Sequence, residues 1–422
     1  MRRLAPLLIA ALALVGACST PGAEVSPSTL HVFGPFRGDA ADRFAASVAP
    51  FEDATGIDVR YVGSADLAGE LRRRVNDGKS PDVALVPQPG VVRELRDLGA
   101  LAELTDTTSE AVSASLLPQA RELGEIDGAL VGVPYRLSVK SLVWYPPAAF
   151  AEAGWDVPTT LEELNELTRE ISGEGLAPWC FGIEAFGATG WVVTDWIEDL
   201  VLRLAGPEAF DRWVAGDLGF STPGISAAFD HAAQLLLERG NVLGNQLGVV
   251  QTQVDEAILP MLDDPPACLL HRNASFTEDW LPAGTTVGPE GDVDVFVLPG
   301  IDAGSEPPLL IGMNLAVPMT ADEGAQQLLR YLATPDGGAS WAAAGGYIGP
   351  FAAEPGYYTE TDRRFADLIE GAEVLRVDGS DQMEPDFGTG AFWTIGAEWA
   401  SGLVDTDTVL TQLDDARAAT AR

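Results

Sequence analysis

After residue 28 the pattern of apolar and polar positions is regular. "TLHVF" reads as a short strand and "GPFRGD" as a turn. "AADRFAASVAPFEDATG" carries apolar residues at helical spacing, with Gly56 as a stop. "IDVRYVGS" alternates as a strand does, and "ADLAGELRRRVNDG" returns to the helical period. "PDVALVP" has the length and apolarity of a buried strand, "GVVRELRDLG" is helical again, and residues 100–104 follow. Strands alternating with helices predict an α/β lobe with a largely parallel sheet.

Further along, "VKSLVWYP" predicts one long strand that carries the chain out of this lobe. "TTLEELNELTREIS" predicts a helix capped by Thr159 or Thr160, with Glu162 and Glu163 in the first turn, where the helix dipole favours acids. Residues 192–239 read as mostly helical. "ACLLHR", "DVDVFVLP" and "LLIGMNLAVP" are the later strands. The last third is helical again, in "GAQQLLRYLATPDGGASWAAAGG" and "TGAFWTIGAEWASG". At 422 residues the chain exceeds the usual single domain, so two lobes are expected. No internal repeat is visible.

The first residues follow another pattern. "MRR" is a charged start, and residues 4–17 form an apolar run too short for a good membrane span, as in a signal peptide. Gly16 and Ala17 directly before Cys18 resemble the lipobox of a bacterial lipoprotein precursor. That resemblance implies cleavage before Cys18 and a lipid on its thiol. The polar, Pro- and Ser-containing stretch to residue 28 then reads as a tether. The mature protein is therefore expected to be soluble and anchored outside the cell.

This location changes the reading of the cysteines. Of three Cys, lipidation removes one and leaves Cys180 and Cys268. Outside the cytoplasm a disulfide is expected between them; two buried free thiols are the other possibility. The formal net charge of −38, from 63 acidic and 25 basic residues, excludes a nucleic-acid partner, which needs a basic face. It fits a solvated acidic surface.

Catalytic signatures are missing. There are three His, with no HExxH, no Cys–His metal spacing and no GxSxG. "NDGKSP" imitates the end of a phosphate loop, but Arg73 stands where its first Gly is required and Pro81 follows at once. No cofactor is expected. A carboxylate pair could serve a secreted glycosidase, yet no local signature of one is present. What remains is aromatic and polar residues at loop positions, above all in "APWCFGIEAFGATGWVVTDWIED". Sugars need this mixture, because pyranose faces lie on flat rings and hydroxyls need planar polar partners. Candidates are Trp179, Glu184, Trp191, Asp195, Arg272, Asn273, Phe392 and Trp393. Core packing is the competing reading for each Trp.

At this point the chain resembles the extracellular solute-binding proteins of bacterial ABC sugar importers, the group that includes maltose-binding protein. The resemblance rests on "SPDVALVPQPGVVRELRDLGAL", on "IDGALVGVPYRLSVKSLVWYPPAAFAEAGWDVPTTLEEL", on "RYLATPDGGASWAAAGGYIGPF" and on "QMEPDFGTGAFW". "APWCFGIEAFGATGWVVTDWIEDLVLRLAGPEAFDRWV" and "ACLLHRNASF" look most like the α-glucoside-binding subgroup, whose pattern also pairs the two Cys. Asn273 stands where that subgroup usually has Gln, and "FGPFRG" is not its usual first turn.

The resemblance implies an α/β, two-lobed periplasmic-binding-protein-like fold of type II, with a ligand cleft between lobes joined by crossing strands. Lobe one is expected to comprise residues 29–138 and 308–349, and lobe two residues 142–304 and 354–422, after a signal peptide (1–17) and tether (18–28). Trp191 and Trp393 fall at ring-stacking positions. Arg136 and Ser138 lie at the cleft edge of the crossing strand, Gln88 follows a lobe-one strand, and Arg272 and Asn273 line the lobe-two wall. Phe36 and Arg37 belong to the first turn. Asp195 and Glu184 are expected to accept hydrogen bonds from sugar hydroxyls. The implied protein is a monomeric, non-catalytic receptor that delivers an α-glucoside to permease subunits and meets the membrane through its lipid alone. A polyamine or other small polar solute is the competing ligand.

Overall fold

The computed structural model describes residues 28–351, 356 and 358–420. Cys18, the signal peptide and nearly all of the tether lie outside the described residues. Among those described, no helix is long and apolar enough to cross a membrane.

Two sheets organise the chain. The larger is built from β1 (Thr29–Gly34), β2 (Asp58–Gly63) and β3 (Val83–Val86), then from β6 (Val133–Val139), β11 (Leu309–Pro318) and β12 (Leu375–Val377). Its order is β12-β11-β3-β1-β2, with β6 also paired to β11. Between β3 and β6, β4 (Glu125–Ile126) and β5 (Ala129–Leu130) form a small hairpin. Asp127 and Gly128 turn it at φ 52° and 76°, as a tight Asp-Gly turn requires. The smaller sheet has the order β10-β7-β9-β8, from β7 (Leu142–Tyr145), β8 (Ala177–Trp179), β9 (Cys268–Arg272) and β10 (Asp294–Val297).

In the larger sheet the expected parallel pairing holds among β1, β2 and β3 and between β11 and β12, but not for β11 with its other neighbours. β1 runs parallel to β2 and β3, and a helix follows each of β1 and β2 before the next strand. β11 arrives from the smaller sheet's side and runs antiparallel to both β3 and β6. β12 was not anticipated; it pairs parallel with the first residues of β11. Its three half-buried residues carry neither alternation nor a long apolar run.

The single strand expected over "VKSLVWYP" is in fact two. β6 ends at Val139 in one sheet, and β7 begins at Leu142 in the other. The break falls where side chains turn inward to polar partners. Lys140 Nζ reaches Asp195 Oδ1 at 2.9 Å. Ser141 Oγ donates to Asp199 Oδ1 at 2.7 Å and accepts from Leu310 N at 2.8 Å.

The helix Leu161–Gly173 starts at Thr160, not Thr159, through a reciprocal cap with Glu163. Val83 to Val86 are fully buried beneath the helices of the larger sheet. A second core gathers Trp196, Trp213, Phe220, Phe229 and Trp399. The disulfide Cys180–Cys268 ties β9 to the residue after β8, with an S–S distance of 2.03 Å.

Candidate binding site

A cavity of about 790 Å³ opens where β1, β2 and β3 end. The turns after these strands form one side of it, as is usual for ligand sites at the carboxyl ends of parallel strands. Phe36 and Arg37 come from the first turn, Asp66 from the second and Gln88 from the third. The base comes from the crossing strands. Arg136, Ser138 and Lys140 follow a two-residue period, so they share one face. Their neighbours across the ladder are Asn314 and Gly312. A β-carbon on Gly312 would stand 2.8 Å from Ser138 Oγ, so glycine leaves this face open.

The opposite side is aromatic. Trp191 begins the helix Trp191–Leu204, and Trp393 begins the helix Trp393–Ala400 directly after a π-helical turn over Asp386–Phe392. Gly190 brings them together. It holds φ 107°, and a β-carbon there would lie 2.1 Å from the Trp393 carbonyl oxygen. Only glycine permits that approach. Phe276 and Trp280 complete the aromatic side.

Charge beneath this surface is organised around Lys140. Its ammonium contacts Asp195 and Asp378 and lies 5.4 Å from the centre of the Trp191 ring. Behind it, Arg272 pairs with Asp195 at 3.5 Å and with Asp199 at 2.9 Å. Glu198 accepts from the backbone N–H groups of Gly379 and Ser380 at 2.5 and 2.9 Å. Burial pushes the Asp195 carboxyl up to about 7, against the opposing pull of Lys140. Burial likewise raises Glu198 and Asp381 well above the carboxylate range. Asp378 goes the other way: despite its burial, Lys140 and its hydrogen bonds hold it below that range. Carboxylate oxygens of Asp195, Glu198 and Asp378 lie within 4.8 Å of one another. This grouping already has its cation in Lys140, so it makes a poor metal site.

The structure brings Phe36, Arg37, Gln88, Arg136, Ser138, Trp191 and Trp393 to the cavity. Six other expected residues do not line it. Asp195 and Arg272 are buried in the ion network behind the wall. Asn273 is buried and spends its Oδ1 on the N–H of Ala274 at 2.7 Å. Glu184 lies in the turn below the cavity mouth, where Oε1 accepts from Phe186 N at 2.9 Å. Trp179 packs edge-on against Trp196 with ring centres 5.0 Å apart, and Phe392 is core packed on Phe220 and Phe387. Sequence reasoning missed Lys140, Asp378 and Asp381, which do line the cavity. For Lys140 a signal existed: it continues the alternation of Arg136 and Ser138, and it is one of only two Lys in the chain. The acids gave none among 63.

The sequence matches the bacterial extracellular solute-binding protein family over residues 37–339. It is 36% identical to the osmoprotective compounds-binding protein GgtB of Synechocystis sp., covering 94% of this chain and 93% of that one. It is 33% identical to the alpha-glucosides-binding periplasmic protein AglE of Rhizobium meliloti, covering 92% and 86%. Among solved structures, maltose-bound MalE3 of T. maritima has the same fold at a TM-score of 0.74 and 16% identity, covering 92% of this chain and 98% of that one. The strand order, the crossing at Lys140 and these matches lead to one conclusion: the chain belongs to the bacterial extracellular solute-binding protein family, a family of binding proteins rather than enzymes.

Proposed function

We propose that this chain is the lipid-anchored receptor of an ABC importer and captures a neutral α-glucoside or related polyhydroxy solute between its two lobes. The observation that carries this reading is the cavity. Trp191 and Trp393 offer flat faces on one side, while Gln88, Arg136 and Ser138 offer hydrogen-bonding groups from the other. Its volume of about 790 Å³ lies in the range of small-molecule sites. The acid-rich wall disfavours anionic sugars; Lys140 and Arg136 are already paired with acids, so the binding panel must separate a neutral solute from a polyamine.

In this reading the lobes comprise residues 29–138 with 308–349 and residues 142–304 with 354–422, although β12 of the latter segment pairs with β11 in the larger sheet. A solute touching both would favour their closed arrangement by its higher affinity for that state. Release to permease subunits then follows reopening. Calorimetry against maltose, trehalose, sucrose and spermidine tests the ligand class. Binding of spermidine with no sugar bound would overturn it. Mass spectrometry of the mature protein tests for lipid on Cys18.

A small osmoprotective compound is a second reading, supported by the 36% identity to the Synechocystis protein. Adding glucosylglycerol to the panel separates a small osmoprotective glucoside from the disaccharides.

A further inference from the structure

Phe186 is the most unusual residue at the cavity mouth. It is 60% exposed and holds φ 55°, a left-handed conformation in which a bulky residue is an outlier. Such a conformation persists only when its surroundings impose it. Here they do. Glu184 Oε1 accepts from Phe186 N at 2.9 Å, Thr189 Oγ1 donates to Phe186 O at 2.9 Å, and Ala185 N donates to Thr189 Oγ1 at 3.1 Å. The turn Phe186–Ala188 is thus a built projection, and its neighbours Ala185, Gly187 and Ala188 line the cavity.

The projection reaches across the mouth. The Arg37 guanidinium, in the turn after β1, lies 5.7 Å from the centre of the Phe186 ring. Gly187 lies against the turn after β2; a β-carbon there would come within 2.8 Å of Asp66 Cβ. Arg37 and Phe186 therefore join opposite sides of the cavity, at its rim and not at its base.

We propose that Phe186 and Arg37 form a clasp across the mouth that slows escape of the bound solute. The clasp exists only when the two sides approach, so it stabilises the closed state and leaves the encounter step unaltered. It gives Glu184 a positioning role, as the acceptor that fixes the turn. This inference rests on the reading of the cavity as the solute site.

Stopped-flow tryptophan fluorescence with maltose, trehalose and sucrose tests it. Phe186→Gly removes the ring but keeps the turn, because glycine accepts the left-handed conformation. An exposed cation–π contact corresponds to about a two- to fivefold faster koff, with kon unchanged. Arg37→Gln should have an effect on koff that Phe186→Gly does not add to. Unchanged koff in Phe186→Gly, or additive effects in the double variant, overturns the clasp. Failure of the wild type to bind any of these sugars falls on the ligand reading instead. The clasp is then read in the free protein, by energy transfer between dyes on Asp77→Cys and Asp217→Cys. Phe186→Gly must lower the closed population, and an unchanged distribution overturns the proposal.

Discussion

Lys140 Nζ stands 2.9 Å from Asp195 Oδ1 and also contacts Asp378, so one buried ammonium joins the Trp191 helix to the segment that follows β12. The same residue marks the point where the chain leaves one sheet for the other. Lys140→Met is expected to leave the buried Asp378 carboxylate without its cation and Asp195 with only the more distant Arg272. Removing one partner of a buried pair costs about 3–5 kcal/mol. The loss should be smaller at pH 5 than at pH 8, because an unpaired buried carboxyl escapes the penalty by taking a proton. Urea unfolding at both pH values measures this, and Asp378→Asn in the Lys140→Met background should recover part of it.

Trp191 and Trp393 meet through Gly190, and both line the cavity. Trp191→Ala is expected to weaken binding of the preferred sugar by about 2 kcal/mol, roughly thirtyfold, as for a central aromatic anchor. Trp179→Ala should leave the intrinsic affinity unchanged and act on stability, since Trp179 packs on Trp196 away from the cavity. Calorimetry beside thermal unfolding separates the two.

The contrast between these tryptophans shows how much the sequence could say. Period and punctuation were enough for β11, whose observed span coincides with "LLIGMNLAVP", and for the helix closed by Gly56. The crossing at Lys140 was hidden because β6 and β7 read as one continuous extended run, and only tertiary polar partners divide them. In the site, residues on strand ends and first turns were legible, as with Ser138 and Gln88. Asp195 and Arg272 misled because a buried ion pair and a ligand-binding pair use the same residue types. Asp378 and Asp381 reach the cavity from a short cap after an unanticipated strand, so no local pattern pointed to them.

Glu278 sits in a second charged group, formed by Arg43 and Arg136 on Asp279 with Asp362 nearby. Burial, reinforced by Asp362 and Asp279, pushes its carboxyl up to about 8. An unfolded Glu titrates near about 4.3. Between these values the folded state binds more protons than the unfolded state, so stability falls as pH rises through the window. Glu278→Gln removes this contribution. The variant should gain Tm relative to wild type from pH 5 to pH 8, and a constant difference across that range would show that Glu278 does not titrate there.

Gly90 tests closure from a position that touches no solute. It lies in the helix Pro89–Asp97, and a β-carbon there would stand 2.2 Å from the Met383 carbonyl oxygen and 3.1 Å from that of Asp381. These are backbone atoms, so no side chain can swing aside. Within the helix alone, alanine is favoured over glycine by about 1 kcal/mol. Against Met383, overpacking costs about 1–3 kcal/mol, and that cost falls only on the arrangement in which the two segments meet. Gly90→Ala is therefore expected to keep or slightly raise Tm in the absence of solute. It should weaken binding by about five- to 150-fold. Calorimetry and unfolding of the same preparation give both numbers. Weakened binding with a retained Tm places the effect on closure, whereas equal losses in both would place it on folding.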